Sequence, residues 1–261
     1  MNEIENKKNF SGFNGNQLKL FAIIAMTIDH VTCALWPQIP NYHYEWWIIL
    51  LHMIGRLTAP IMWFMVAEGY HHTHDVKKYA SRLFIFAIIS HFAYNFAFGI
   101  PFTPFKTGFF NQTSVMWSLA WAVVLLFIHD NERCKFPSFL KVIITFAVCA
   151  ITFPSDWSCI AVLAIAYINR FYGNLKRQII AMMCCVFMYS IVWFFCIDKV
   201  YAFVQLGVIT VWPFMANYNG QRGKWKGMKW FFYLYYPLHL VLVGILRITL
   251  YGNVGLIVGG Q

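Results

Sequence analysis

Long apolar runs separated by short charged clusters dominate this sequence and limit what it can fold into. A helix needs about 20 apolar residues to cross a bilayer, and the charged clusters divide the chain into segments of roughly that length. The segments cover residues 18–36, 46–70, 83–100, 113–129, 138–153, 157–172, 178–196, 200–215 and 230–251. The fifth and sixth are short enough to be tilted or re-entrant. We therefore predict an all-α polytopic integral membrane protein with about nine transmembrane helices.

The composition excludes the main soluble classes of protein. Only 11% of the 261 residues are charged and 60% are hydrophobic, whereas a soluble domain carries about 25% charged residues. The seven cysteines include no CxxC pair, and most lie within apolar runs, so we expect small buried side chains. We divide the chain into a polar tail without a signal peptide (1–17), one integral membrane domain (18–251) and a short tail (252–261).

The distribution of basic residues predicts an orientation. If nine spans are counted, nearly all of the 20 Lys and Arg fall on one side; Lys106, Lys199 and Arg247 fall on the other, and Arg56 lies within a span. The positive-inside rule then predicts a cytoplasmic N-terminus and an external C-terminus. This topology accounts for the net charge of +10, so we expect contact with membrane lipid and no nucleic-acid partner.

Two spans near the N-terminus carry ionisable residues at membrane depth. Asp29 and His30 lie in the first span and Arg56 near the middle of the second, where Pro60 predicts a kink. A charged side chain at that depth costs about 2.5–3.5 kcal/mol, so each needs a partner or a wet cavity. We expect Asp29 to pair with Arg56, which leaves His30 free to accept protons. A purely structural polar clasp is the alternative interpretation.

Two later spans add polar residues at similar depth. His91 and Asn95 lie four residues apart on one face of the third span, and Tyr236 and His239 share a face of the last span on either side of Pro237. If the four helices face inward together, these side chains meet. Alone, the constellation indicates proton chemistry in a membrane cavity, which also suits a proton-coupled transporter.

Further candidates lie near the predicted membrane surfaces. Glu68 is placed to meet a cytoplasmic cation, Asp156 opens the sixth span on the outer side, and segment 217–230 combines three glycines with four cations suited to phosphate binding. A histidine cluster lies in a solvated loop in which we expect no metal: His71, His72 and His74.

A family resemblance rests on six stretches in order along the chain. They are LKLFAIIAMTIDHV (18–31), IGRLTAPIMWFMVAEGYHHT (54–73), KKYASRLFIFAIIS (77–90), DWSCIAVLAI (156–165), NGQRGK (219–224) and FFYLYYPLHL (231–240). Together they resemble the TraX family, which is named for proteins that acetylate pilin. The resemblance covers nearly the whole chain and implies a multi-pass protein of the bacterial cytoplasmic membrane. The matching positions are Asp29, His30, Arg56, Glu68, Asp156, Tyr236 and His239.

The resemblance implies an acetyltransferase that moves acetyl from acetyl-CoA to an amine on a pilin-like peptide, an amino sugar or a small molecule. It implies His30 as general base with His239 second, and Arg56 or Tyr236 as donor to the oxyanion. The expected CoA-phosphate ligands are Arg222, Lys224, Lys77, Lys78 and Arg82. Direct transfer and an acetyl-enzyme intermediate both stay open, as does O-acetylation of a glycan or lipid. His91 and Asn95 depart from the carboxylates of relatives, which puts an acidic role of the third span in doubt.

Overall fold

Apolar helices form nearly all the regular structure of this chain. A computed structural model describes residues 12–36, 45–102, 113–130 and 132–253, and within these ranges there is no strand, only two isolated backbone bridges. The helices are α1 Gly15–Leu35, α2 Trp46–Gly55, α3 Thr58–His72, α4 Val76–Phe98, α5 Val115–His129, α6 Ser138–Thr152, α7 Ser158–Arg170, α8 Leu175–Cys196, α9 Lys199–Gln205, α10 Trp212–Ala216 and α11 Met228–Tyr251, with a 3-10 turn Leu206–Val211 between α9 and α10.

Six helical stretches are long and apolar enough to cross a membrane. They are Gly15–Leu35, Trp46–His72, Val76–Phe98, Leu175–Cys196, Lys199–Ala216 and Met228–Tyr251. The all-α membrane fold is therefore confirmed at this level, whereas the nine-span count and the orientation stay predictions. Most of the two predicted tails, and Lys106, lie outside the described residues.

Three helices are short for a membrane span. α5 and α6 have 15 residues each and α7 has 13, which is about 20–22 Å at 1.5 Å per residue against a hydrocarbon core of about 30 Å. α7 is nevertheless central, because it packs against α3, α5, α6 and α8. Small side chains permit this close packing: Ala161, Val162 and Ala164 are fully buried.

The second span is broken, as its proline predicts. α2 ends at Gly55 and α3 begins at Thr58, which leaves Arg56 and Leu57 in a turn between them. Pro60 lies in the first turn of α3, where its missing N–H leaves no intrahelical hydrogen bond unmade. The break therefore places Arg56 at a turn within the second span and not inside a continuous helix.

A second irregular segment joins α6 to α7 at residues 153–157. Trp157 and the following Ser158 both have left-handed backbone angles, with φ of 62° and 49°. Such a conformation costs a residue other than glycine about 1–3 kcal/mol and persists only when the surroundings impose it. The surroundings here are dense, since the Trp157 ring packs edge-on against Trp63 at 5.1 Å and lies 5.4 Å from the ring of Tyr189.

Candidate active site

Asp29 and Arg56 form the centre of a buried polar cluster. Arg56 Nη2 donates to Asp29 Oδ2 at 3.0 Å, and His52 Nδ1 donates to Asp29 Oδ1 at 2.7 Å. Only 14% of the Asp29 side chain and 13% of the Arg56 side chain are exposed. The pairing expected from the sequence is therefore present, and His52 completes the coordination of both carboxylate oxygens.

The close approach of α1 and α2 makes this pairing possible. A Cβ added to Gly55 would lie 2.4 Å from the Cβ of Asp29, so a larger residue at position 55 would push the two helices apart. His52 lies one helical turn before Arg56 on α2, and Arg56 Nε donates weakly back to its carbonyl oxygen at 3.4 Å. The local backbone thus orients both basic side chains toward α1.

Arg56 also connects two distant elements to the cluster. Its Nη1 donates to Gln205 Oε1 at 3.1 Å at the end of α9, and its guanidinium lies 5.5 Å from the centre of the Trp157 ring. The first contact brings α9 to the site, and the second brings the turn 153–157. The hydrogen bonds to Asp29, to Gln205 and to the His52 carbonyl use three of the five N–H groups of the guanidinium. The others are left as donors for a reacting oxygen.

His30 and His239 form a stacked, hydrogen-bonded pair between α1 and α11. The two rings are parallel within 5°, and His30 Nδ1 lies 2.8 Å from His239 Nε2. His239 Nδ1 lies 3.0 Å from the carbonyl oxygen of Tyr235, which can only accept. His239 therefore carries its proton on Nδ1 and accepts at Nε2, so His30 donates from Nδ1. The remaining lone pair of His30 is on Nε2, as a general base requires.

The rest of this layer is built from tyrosines of α11. The ring of Tyr235 stacks on His239 at 5.3 Å, and its hydroxyl hydrogen-bonds with Thr27 Oγ1 at 2.7 Å. Tyr236 is buried, and its ring lies 5.5 Å from that of His239.

Asp156 points into the same region from the turn 153–157. It lies close enough to Arg56 and Asp29 to interact electrostatically with both. Within the described ranges it forms no ion pair. It keeps part of its surface accessible although it lies deep in the bundle.

A cationic cavity of about 420 Å³ lies between α1, α3, α4, α5 and α11. Four cations line it: Lys19, Arg82, Arg222 and Lys229. Its apolar wall includes Met62, Met116 and Leu119. Met62 and Met116 are 10 and 13 residues from the ends of their helices at His72 and His129, or about 15 and 20 Å along the axis. The cavity therefore extends from the cations toward the level of the histidine pair.

Glu68 lies in the wall of this cavity. Its side chain is 9% exposed, and its Oε1 lies 3.1 Å from His72 Nε2 and accepts from the Tyr218 hydroxyl at 3.3 Å. Among the described residues, the ion-pair partner of Glu68 is thus His72 of its own helix and not the cytoplasmic Lys or Arg that we expected. Because the carboxylate lies among four cations, it lowers the net positive charge of the cavity and therefore its attraction for anions.

The loop between α10 and α11 is attached to the start of α1. The N–H groups of Gly15 and Asn16 donate to the carbonyl oxygens of Gln221 and Arg222 at 2.7 and 3.0 Å. Gly223 has φ of 93°, and a Cβ there would lie 2.5 Å from Oδ1 of Asn14, the N-cap of α1. The glycine-rich motif thus caps a helix with its carbonyls and places the Arg222 side chain at the cavity.

Three cations expected to bind CoA do not line the cavity: Lys77, Lys78 and Lys224 are exposed. Lys78 is paired instead with Asp75, the N-cap of α4, at 3.2 Å. The hydrogen bond from the Lys78 backbone N–H, followed by those from its ammonium group, holds the pKa of the Asp75 carboxyl below its ordinary value. Arg82 and Arg222 are the expected ligands that do line the cavity.

His91 and Asn95 form a local network at the end of α4. The Asn95 amide donates to the Pro101 carbonyl at 3.2 Å and His91 Nε2 donates to the Phe102 carbonyl at 3.0 Å, while Asn95 Nδ2 lies 3.3 Å from the same histidine nitrogen. These bonds tie the chain after α4 back onto the helix. They account for both residues without a role in the central cluster.

One group of side chains has the composition of a metal site. Ligand atoms of Asp29, Cys33 and His52 lie within 4.8 Å of one another. The Arg56 guanidinium already pairs with the same carboxylate, so it supplies the positive charge that a metal ion would bring.

Four contributors were missed by the sequence analysis. His52 lies one helical turn from Arg56, and Lys19 and Lys229 occur at the predicted cytoplasmic ends of spans, so each was open to the same arguments that selected their neighbours. Gln205 carries no charge and gave no comparable signal.

Two comparisons with known proteins bear on this site. The family model described as TraX protein matches residues 14–247. The chain is 30% identical over 243 residues to a probable fimbrial assembly protein, FimC of serogroup H1, from Dichelobacter nodosus; the match covers 88% of this chain and 94% of that protein. No solved structure matches the chain.

Proposed function

This chain belongs to the TraX protein family, and from that premise we propose that it is a membrane-embedded acetyltransferase that moves acetyl from acetyl-CoA to an amine. The observation that carries the proposal is the cationic cavity, which leads from four basic side chains toward the His30–His239 pair. The similarity to a fimbrial assembly protein favours an amine on a pilus subunit as acceptor.

The cavity has the chemistry of a CoA site. Lys19, Arg82, Arg222 and Lys229 would hold the nucleotide phosphates at its cationic end. Arg82 Nε is buried without a hydrogen-bond partner in the described part of the chain, so it has a donor to offer to a phosphate oxygen. The methionine and leucine side chains below would accommodate the less polar pantetheine arm.

The spacing of the two sites suits an extended cofactor arm. His30 is 11 residues beyond Lys19 on α1, and His239 is 10 beyond Lys229 on α11, which corresponds to about 15–17 Å along each helix. Nucleotide and reacting carbonyl are therefore separated by roughly the depth of the cavity. The CoA phosphates remain at the basic, predicted cytoplasmic side while the thioester reaches the histidines.

His30 is the general base of the proposed reaction. Its Nε2 lone pair accepts a proton from the acceptor amine, which attacks the thioester carbonyl; the C–N bond forms, the C–S bond breaks, and the thiolate is protonated as CoA leaves. His239 holds the ring of His30 and fixes its tautomer. The unused N–H groups of Arg56 stabilise the developing oxyanion, a role worth about 3–4 kcal/mol in other enzymes.

The test is acetyl transfer by the purified protein from radiolabelled acetyl-CoA to a peptide with a free amine. We expect labelled peptide with the wild type. His30→Gln should lower kcat by at least 100-fold, as loss of a general base does, and leave acetyl-CoA binding intact. His74→Gln removes an exposed loop histidine and should retain activity. Unchanged turnover in His30→Gln, or no acetyl-CoA binding by the wild type, would contradict the proposal.

A second pair of variants tests the cavity. Arg222→Gln should raise the KM for acetyl-CoA about tenfold, since a charge-assisted hydrogen bond contributes about 1.5–3 kcal/mol. Lys224→Gln removes a cation of the same loop outside the cavity and should change KM less than twofold. Equal effects would mean that the loop attracts CoA only through its general charge. Solute uptake without acetyl-CoA would favour the transporter instead.

A further inference from the structure

The central cluster contains two carboxylates, those of Asp29 and Asp156. Each carboxylate oxygen of Asp29 accepts a hydrogen bond, one from Arg56 and the other from His52. His52 Nε2 is buried and has no hydrogen-bond partner in the described residues. The His30–His239 hydrogen bond requires one ring to accept. Within the described part of the chain, Arg56 is the one permanently charged cation beside the two carboxylates, and Asp156 forms no ion pair.

The surroundings of Asp156 suit an organic cation. Three tyrosines from different helices, Tyr94, Tyr189 and Tyr236, lie in electrostatic range of its carboxylate. Trp157 follows Asp156 in the chain, and its ring lies 5.4 Å from the ring of Tyr189. Aromatic rings and a carboxylate together are the groups that bind an ammonium ion in a desolvated site. The packing of the Trp157 ring against Trp63 and Tyr189 holds this turn in its left-handed conformation.

The depth of Asp156 separates it from the cationic cavity. α6 begins at Ser138 and ends after 15 residues, so the turn lies about 21 Å along the helix from the predicted cytoplasmic side. Asp29 lies 14 residues into α1, at about the same depth. The four cations of the cavity lie near the opposite end of this distance. Asp156 therefore lies at about the depth of the His30 layer, away from the four cations of the CoA site.

We propose that Asp156 binds the ammonium group of the acetyl acceptor, a primary amine, in the space between the turn 153–157 and the Arg56–Asp29 pair. The inference rests on the proposed acetyl transfer and extends it by assigning the acceptor site. The bound ammonium gives one proton to His30 and becomes the nucleophile. As the C–N bond forms and the C–S bond breaks, the second proton of the attacking nitrogen passes to the CoA thiolate, and His30 then releases its proton to water. The product is a neutral amide that no longer pairs with Asp156, which favours release.

The experiment uses the purified full chain and 2-phenylethylamine as a defined acceptor. Asp156→Asn should weaken equilibrium binding of the radiolabelled amine, and raise its KM, by roughly thirtyfold or more. The KM for acetyl-CoA should stay within twofold. Asp156→Glu should recover part of the amine affinity. Glu132→Gln removes an exposed carboxylate and should behave as the wild type. Thermal unfolding in detergent verifies that each variant is folded.

The outcomes separate this proposal from the function on which it rests. Unchanged amine affinity in folded Asp156→Asn would overturn the acceptor site, even if acetyl transfer continues. Equal transfer to the neutral analogue 2-phenylethanol would also overturn it, because an alcohol needs no counterion. Amine binding that depends on Asp156 in a protein without acetyl transfer would support the site and refute the acetyltransferase. If Asp156→Asn does not fold, Asp156→Glu with a raised amine KM and unchanged acetyl-CoA KM supports it, and unchanged amine KM overturns it.

Discussion

At the scale of single residues, the cluster illustrates how a membrane protein retains charges at depth. Asp29 accepts from two basic side chains, and Arg56 donates to three different elements of the chain. Neither side chain is more than 14% exposed. A buried pair of this kind contributes little net stability, yet loss of one partner is costly because the other charge is left uncompensated.

We predict that Arg56→Met destabilises the protein by about 3–5 kcal/mol. Adding Asp29→Asn to this variant should recover part of the loss, since the uncompensated carboxylate is then removed. Arg133→Met, which breaks a partly exposed pair with Asp130, should cost less than about 1 kcal/mol. Reversible unfolding in detergent measures the wild type, the single variants Arg56→Met and Asp29→Asn, the double variant and Arg133→Met. Simple additivity of the two substitutions would contradict a direct pairing.

The residues at the centre of the cluster were largely predictable from the sequence. Asp29, His30, Arg56 and His239 are polar groups within apolar runs, and the cost of burying them demands that they meet. Their partners were less accessible to this reasoning. The His30–His239 contact depends on the rotation of α1 against α11, and no local pattern fixes that rotation. Nor does any local pattern reveal that Asp156, at the start of a span, lies inside the bundle.

At the scale of secondary structure, the junction of the α10–α11 loop with α1 links the helix start to the cavity. The loop carbonyls satisfy two N–H groups of the first turn of α1, and Asn14 satisfies others through its side chain. The sequence indicated a phosphate cradle made by backbone N–H groups. Two of the loop's carbonyls are instead used for capping, and a side chain, Arg222, faces the cavity.

We predict that Gly223→Ala destabilises the protein by about 2–3 kcal/mol, from the left-handed φ together with displacement of the Asn14 cap. It should also raise the KM for acetyl-CoA, because Arg222 moves with the loop. Gly220 has φ of 73° but nothing within 4 Å of an added Cβ, so Gly220→Ala should cost only about 1–2 kcal/mol. Unfolding and acetyl-CoA kinetics of the two variants provide the comparison. Equal losses would show that the contact with Asn14 has no effect.

Helix interruptions were only partly predictable from the sequence. Pro60 indicated a kink near Arg56, and the structure has a break there. The eighth segment contains a comparable signal in Pro213, which the sequence analysis did not use, and it consists of α9, a 3-10 turn and α10. A Cβ on Gly207 in that turn would lie 3.6 Å from Arg56 Cγ, an ordinary van der Waals distance. The interruption thus accommodates the cluster, which is a tertiary cause that hydropathy does not report.

At the scale of the whole molecule, the short helices decide how the chain relates to the bilayer. A re-entrant pair α6–α7 would begin and end on the same side, so the basic residues that flank it would keep the orientation assigned to them. The contact between Trp157 and Arg56 at 5.5 Å favours this arrangement, because Arg56 lies at the break of a long span. Hydropathy alone could not distinguish a re-entrant hairpin from two short spans.

We predict the depths of three positions in a variant lacking the seven native cysteines. An impermeant maleimide should label Lys226→Cys only from the cytoplasmic side and Tyr251→Cys only from outside. Phe153→Cys should react from outside at least tenfold more slowly than Tyr251→Cys, because its position lies about 9 Å short of a 30 Å core. Equal rates would favour nine full spans. External labelling of Lys226→Cys would reverse the orientation and the location of CoA.

The short length of α5, α6 and α7 has a consequence for the permeability of the bundle to ions. Under the proposed function, the nucleotide and the amine approach from opposite aqueous compartments. The layer that separates the two compartments is then thin, and it consists of the His30 and His239 rings with the Arg56–Asp29 pair beside them. Only an uncharged acetyl group passes through this layer, by exchange of one bond for another. Such a crossing needs no alternation between inward-open and outward-open shapes, so a rigid bundle that prevents ion leakage suffices.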